Sequence, residues 1–321
     1  MNELTAAATA IAAALVQILG LALVAPLVAG ILRTTKARFQ SRRGPSVLQP
    51  YRDLRKWWNR GSAESATAGP VQRLAPAVAL VAVALATGFV PTVITEPPLR
   101  PWGDLLVLVG FLALARFVMA LAALDAGSAF GGMGSSREVA IGALIEPGLI
   151  LALVAAAVAA GSTDLGLIAG SVLTQGSSAI SIGHVLAAAA FVLVAVAETG
   201  HLPVDNPDTH LELTMVHEGM LIEMSGRGLA LLTLAAHLRQ TLVLAVLVAA
   251  FVPWGMALEP VALPLLVAIL ALAFKLLAGG VALALFDAAL PKLRILRLPE
   301  FLGVASALAL LAVATQIWLP R

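Results

Sequence analysis

Long apolar stretches alternate with short polar segments along the whole chain of 321 residues. Each stretch has about 20 residues, which is the length of an α-helix that crosses the hydrocarbon core of a bilayer. The predicted spans are residues 8–32, 74–95, 103–124, 139–160, 180–198, 229–252, 261–286 and 300–319. The pattern therefore predicts an all-α polytopic integral membrane protein, with about eight transmembrane helices in a single membrane domain over residues 1–321.

Composition agrees with that class and limits the chemistry. The chain is 60% hydrophobic and only 12% charged, as expected for a protein that lies mostly in lipid. It has no cysteine, so it supplies no thiolate ligand to zinc or to an iron–sulfur cluster. Any redox chemistry in which the protein takes part therefore belongs to a partner.

The placement of lysine and arginine predicts the orientation. Fifteen of the twenty lie in the loops 33–73, 125–138, 199–228 and 287–299, whereas the opposite side has only Arg100 and Arg321. Cytoplasmic loops of membrane proteins carry an excess of these residues. We therefore expect these four loops to be cytoplasmic and both termini to lie outside.

Polar chemistry is concentrated in residues 197–228, which hold six of the eighteen carboxylates and three of the five histidines. Asn206 and Pro207 are suited to the cap and the first position of a helix, and Gly226 or Gly228 to its end. At about 100° per residue, such a helix would place three carboxylates on one face. They are Asp208, Glu212 and Glu223. A solvated helix between two spans is the alternative interpretation.

The first loop contains a candidate amphipathic helix that begins at Pro50 and ends at Gly61. Arg52 and Lys56 alternate there with Trp57 and its neighbours, a combination typical of a helix that lies in the membrane interface. A docking surface for a soluble partner is compatible with the same pattern. Nucleic-acid binding is disfavoured, because the basic cluster would lie flush against lipid.

Ionisable residues inside predicted spans need an explanation, since a charge near the bilayer centre costs about 2.5–3.5 kcal/mol. These residues are Arg116, Glu146, His237, Arg239 and Lys275, with Glu138, Glu198 and Asp287 near the span ends. They favour either a buried proton-conducting chain or static pairs that fix helix packing. No metal site is predicted, because the run that starts at His217 lacks the second histidine of H-E-x-x-H.

Four features together resemble a known family: the segments 42–58, 115–138 and 197–228, and the spacing of eight spans. The sequence is similar to the eight-helix membrane protein shared by respiratory complex I and the membrane-bound [NiFe] hydrogenases. The hydrogenase branch, the formate hydrogenlyase subunit 4 or hydrogenase-4 component C type, is the closer match. The complex I segment reads A-E-x-x-R-x-P-F-D with a later E-Y-S. This chain has His201 for the arginine, Val204 for the phenylalanine and Met224 for the tyrosine.

The resemblance implies a non-catalytic subunit that links a soluble arm to proton or sodium translocation in a prokaryotic cell membrane. The implied partners are an iron–sulfur small subunit, a hydrogenase-like large subunit and antiporter-like membrane subunits, and the clusters, with nickel in a hydrogenase, belong to those partners. The implied ion-coupling residues are Glu198, Asp205, Asp208, Glu212, Glu223, Glu138, Glu146, Arg116 and Lys275. The implied docking residues are Arg42, Arg43, Arg52, Asp53, His201 and Arg227.

Three other functions stay open at this point. The chain could form part of the quinone site of an NADH:quinone oxidoreductase, it could transport an ion or solute alone, or it could be a purely structural anchor. The stretch His210 to Met215 and the ending Ser225 to Gly228 favour the hydrogenase branch over the first. The lack of an internal repeat disfavours the second.

Overall fold

A computed structural model describes residues 3–63, 68–205, 216–291, 293 and 297–318. Within these residues the chain forms eleven α-helices joined by short connections. Their bounds are α1 Glu3–Phe39, α2 Gln49–Trp58, α3 Pro70–Thr87, α4 Leu105–Asp125, α5 Ala129–Ala160, α6 Leu165–Gln175, α7 Ile182–Glu198, α8 His217–Leu221, α9 Gly226–Phe251, α10 Ala262–Ala289 and α11 Leu298–Trp318. The protein is an all-α polytopic membrane protein.

Seven helices of the described chain are long and apolar enough to cross a membrane: α1, α3, α4, α5, α9, α10 and α11. The fifth predicted span corresponds to α7, which has 17 residues. A helix of that length extends about 25 Å, which is shorter than the roughly 30 Å of a hydrocarbon core. It is nonetheless a central element, because its side chains Phe191 and Val194 are fully buried in the main apolar core.

Two helix boundaries differ from the predicted spans for local reasons. Helix α3 ends at Thr87, since Gly88 and Pro91 follow it, and the chain continues without helix through residues 88–95. Helix α5 begins at Ala129, because the side chain of Ser128 accepts a hydrogen bond from the backbone N–H of Gly131 and caps the helix. Most of the expected loop 125–138 is therefore helical.

Helix α9 lies at the centre of the bundle. In its most apolar stretch 67% of residues are buried, whereas the corresponding figure for α10 is 17%. Helix α9 packs against α1, α3 and α7, while α11 packs on α5 and α7. Polar side chains on α9 and on the helix ends around it are therefore shielded, and those on the outer faces of α1 and α10 are not.

The short helix α2 has the amphipathic character that the sequence predicted. Pro50 is buried, Arg52 and Lys56 are exposed, and the hydroxyl of Tyr51 donates a hydrogen bond to the backbone carbonyl of Leu23 in α1. The preceding loop packs tightly on Gly30 of α1, because a Cβ atom there would overlap the carbonyl oxygen of Val47. The contact leaves no room for a side chain at that position.

We predict that Gly30→Ala destabilises the protein, whereas Gly20→Ala on the same helix does not. Overpacking costs about 1–3 kcal/mol, and it exceeds the gain of about 1 kcal/mol in helix propensity that alanine brings. A Cβ atom at Gly20 would meet nothing within 4 Å, so this variant is the matched control. Thermal unfolding in detergent measures both, and equal midpoints for the two variants would contradict the packing described for the first loop.

Candidate functional site

One buried guanidinium lies among three carboxylates on neighbouring helices. Arg116 of α4 has a side chain that is 6% exposed. Its Nη1 donates to Glu146 Oε1 at 2.7 Å, its Nη2 donates to Glu198 Oε2, and its Nε lies 3.5 Å from Glu138 Oε1. Charge-assisted bonds of this kind are stronger than neutral ones, so α4, α5 and α7 are tied together at this point.

Helical spacing explains how α5 contributes two of these carboxylates. Glu138, Gly142 and Glu146 are four residues apart and share one face of the helix. A Cβ atom at Gly142 would lie 2.9 Å from Cδ and 3.0 Å from Nη1 of Arg116. The glycine therefore lets the arginine side chain lie directly against α5, between its two glutamates.

A small cavity of about 20 Å³ adjoins this cluster. Its lining residues are Arg116, Glu138, Ile141, Ile145, Ala197, Glu198, Gly200, Val204, Asp205, Val216, His217 and Arg239. That volume accommodates about one water molecule. Glu198 Oε1 and Arg116 Nε are buried and make no hydrogen bond within the described residues, so both have the chemistry to bind such a water.

The charges of the cluster and cavity do not balance. Four carboxylates, Glu138, Glu146, Glu198 and Asp205, accompany two guanidinium groups, Arg116 and Arg239. Carboxylates that share a poorly hydrated site disfavour full ionisation of all of them.

The acidic loop after α7 only partly matches its prediction. Asp205 is buried and its Oδ2 accepts the backbone N–H of His217 at 3.2 Å. Asp208, His210 and Glu212 lie outside the described residues. The prediction that a helix continues to Gly226 or Gly228 is wrong for the described part, because α8 ends at Leu221 and α9 begins at Gly226 after the Ser225 cap. Glu223 therefore lies in a turn, where its backbone carbonyl accepts from Gln72.

The sequence did not predict that His217 and Arg239 belong to this site, although both line the cavity. The placement of His217 depends on Gly134 of α5, where a Cβ atom would lie 2.9 Å from the carbonyl oxygen of Val216. Burial, reinforced by the guanidinium of Arg239, lowers the pKa of His217 from 6.5 to about 4. At neutral pH its imidazole is therefore uncharged beside the carboxylates.

The other expected site residues lie elsewhere. Lys275 of α10 donates from Nζ to the carbonyl oxygens of Val252, at 2.6 Å, and Trp254, so it caps the end of α9. Its role in ion coupling stays a prediction. This contact satisfies a helix terminus, which is how cations near such ends usually act.

The expected docking residues divide into an exposed set and one buried residue. The exposed or half-exposed set is Arg42, Arg43, Arg52, Asp53 and Arg227. Arg227 adjoins a second cavity of about 430 Å³ at the end of α2. His201 is buried instead, with Nδ1 3.0 Å from Asp287 Oδ2 of α10. Docking by these residues stays a prediction.

The donor atoms of the described chain are not arranged as a metal centre. Within the described residues no group of three or more histidine, aspartate or glutamate side chains is placed to hold a metal ion. The chain also has no cysteine to bind an iron–sulfur cluster. The described residues thus offer no ligand set that fits a redox metal centre.

The fold and the site define a polytopic membrane protein that buries an arginine–glutamate cluster between its helices. Residues 11–318 match the family described as NADH dehydrogenase. The chain is 40% identical over 304 residues to formate hydrogenlyase subunit 4 of Escherichia coli (strain K12), covering 94% of this chain and 97% of that one. It is 36% identical over 306 residues to hydrogenase-4 component C of the same organism, covering 95% of each. This chain belongs to the NADH dehydrogenase family and, within it, to the group of these two hydrogenase membrane subunits.

A solved structure shows the same fold. A chain of the membrane-bound sulfane sulfur reductase, an archaeal respiratory membrane complex, superposes with a TM-score of 0.84 at 22% identity. The alignment covers 96% of this chain and 99% of the other. The helix arrangement is therefore shared between complexes whose names describe different chemistry.

We predict that His217 makes stability depend on pH below about 6.5. The folded state binds the proton only near pH 4, whereas the unfolded chain binds it near 6.5, so stability falls as the pH drops through this window. His217→Gln should flatten that part of the profile. Thermal unfolding of both proteins in detergent across this range measures it, and equal slopes would contradict the lowered pKa of His217.

Proposed function

We propose that this chain is the membrane subunit of a hydrogenase-type oxidoreductase, in which it anchors a soluble electron-transfer arm and couples the redox reaction to movement of protons or sodium ions. The observation that carries the coupling role is the buried cluster of Arg116 with Glu138, Glu146 and Glu198. Ionisable groups are costly in a membrane interior and are usually functional there. The two bacterial relatives named above support the hydrogenase assignment.

The proposed partners come from the resemblance to the two hydrogenase relatives: an iron–sulfur small subunit and a hydrogenase-like large subunit, which would hold the iron–sulfur clusters and any nickel–iron centre. This chain has no cysteine, so it offers no thiolate ligand to a cluster. Antiporter-like membrane subunits would receive the coupling on the other side. The basic loops and the acidic loop, including Asp208, Glu212 and Glu223, would face the cytoplasm of a prokaryotic cell under the soluble arm, with both termini outside.

The ion path would begin at the cavity and continue between helices. Asp205 and His217 line the cavity together with Glu138 and Glu198, so a proton would pass between them directly or through one water. Arg116 connects these groups to Glu146, whose side chain is 38% exposed. The guanidinium of Arg116 would stabilise each carboxylate as it releases its proton.

A quinone-site subunit of an NADH:quinone oxidoreductase is the second candidate, because the matching family is described as NADH dehydrogenase. A quinone bound in the purified complex would favour it. A chain that transports an ion alone in vesicles would favour the transporter interpretation over both.

We predict that the tagged chain, extracted in mild detergent, copurifies with iron, nickel and hydrogen-dependent dye reduction. Metal analysis and the dye assay measure this outcome. Recovery of iron without nickel would be compatible with the coupling role. The partner that supplies the electrons would then belong to an enzyme class other than the hydrogenases. Recovery of the chain without any partner would contradict the proposal.

We predict that Glu198→Gln lowers the number of ions moved per electron by on the order of tenfold, while the complex still assembles, since an amide cannot relay a proton. Glu259→Gln is the control, because Glu259 is an exposed carboxylate in the connection before α10. Ion uptake into vesicles during turnover provides the measurement. Normal ion uptake by the Glu198→Gln variant would contradict the assignment of Glu198 to the ion path.

A further inference from the structure

A second buried cluster lies outside the Arg116 site. Asp287 of α10 has a side chain that is 1% exposed. It lies 3.0 Å from Nδ1 of His201, accepts the backbone N–H of Leu202 at 2.9 Å, and lies 3.5 Å from Nζ of Lys36 in α1. Among the described residues, the ion pairs of Asp287 are with His201 and Lys36.

The backbone around His201 forms one wall of the cavity at the first site. The carbonyl oxygen of His201 accepts the N–H of Val204 at 3.0 Å and of Asp205 at 3.3 Å. Val204, Asp205 and Gly200 all line the cavity beside Glu198. The turn of residues 200–205 is thus held by Asp287 on one side and borders the first cluster on the other.

One atom of His201 has no role in holding this turn. Its Nε2 is buried and makes no hydrogen bond within the described residues. A neutral imidazole carries its proton on one nitrogen, and Asp287 favours that proton on Nδ1. Nε2 is therefore a buried basic atom, and a proton bound there would leave a buried N–H that needs an acceptor.

We propose that His201 and Asp287 form a second protonation site, whose state sets the position of the turn 200–205 and so the access of Glu198 to the cavity. The proton adds to Nε2 of the neutral imidazole; no other covalent bond changes and no electron moves. The charge of the cluster rises by one. The new N–H of His201 forms a hydrogen bond to an acceptor once the turn 200–205 has moved. The inference rests on the proposed role of Glu198 in ion movement.

The test uses the full chain in lipid nanodiscs and two variants that fix the charge. His201→Asn keeps a neutral donor towards Asp287, and His201→Arg, the residue of the similar complex I segment, is permanently charged. At one pH, labelling of Glu198 by a hydrophobic carbodiimide, read by peptide mass spectrometry, should differ between them by on the order of threefold or more. With all three proteins compared at the same pH, wild type should label like the arginine variant where His201 is charged and like the asparagine variant where it is neutral.

His184→Asn is the matched control, since His184 is a buried histidine at the other end of α7, with Nε2 3.1 Å from the carbonyl oxygen of Phe251. It should label like wild type. A second readout follows the side-chain ¹⁵N signals of labelled histidine, which report at each pH whether the imidazole of His201 is neutral or charged. Because this readout uses the wild-type chain, it tests the proposal even where the His201→Arg variant fails to fold.

Equal labelling of the two His201 variants, or a His201 signal that does not titrate, would overturn the inference. Neither readout needs a partner subunit or turnover. Loss of ion movement in Glu198→Gln with no His201 titration would therefore leave the proposed function standing and reject only this second site.

Discussion

A single guanidinium with three carboxylates around it, inside a bundle of apolar helices, is the constraint on which the rest of the structure depends. Removing such charges from water is expensive, and only close contact among them offsets the cost. Arg116 therefore requires α4, α5 and the end of α7 to meet at one level, and Gly142 makes that approach possible.

The turn that follows α7 gives the cluster its connection to the loops. Over eight residues, from Glu198 to Asp205, the chain supplies a carboxylate to Arg116, an imidazole to Asp287 and a second carboxylate to the cavity. Backbone hydrogen bonds from Val204 and Asp205 to the carbonyl oxygen of His201 link the two ends of this turn. Such coupling is what a subunit between a redox partner and an ion path needs.

Local sequence patterns identified the charged residues of the site but not all of the contacts that they make. Arg116, Glu138, Glu146 and Glu198 stood out because charges are rare in apolar spans, and the structure brings the four together. Glycine has two uses at helix ends, so Gly226 suggested a C-terminus where α9 in fact begins. The pairing of His201 with Asp287 joins positions 86 residues apart, and no periodicity encodes it. Only tertiary packing reveals that contact, and likewise the cap that Lys275 gives to α9.

We propose that contact of Arg116 with three carboxylates couples the redox reaction to ion movement. Arg116→Lys tests it most directly, because lysine keeps the charge but lacks the planar fork that reaches several carboxylates at once. In vesicles that contain the whole complex, we expect electron transfer to continue while the number of ions moved per electron falls. An unchanged ratio in a correctly assembled complex would contradict the account.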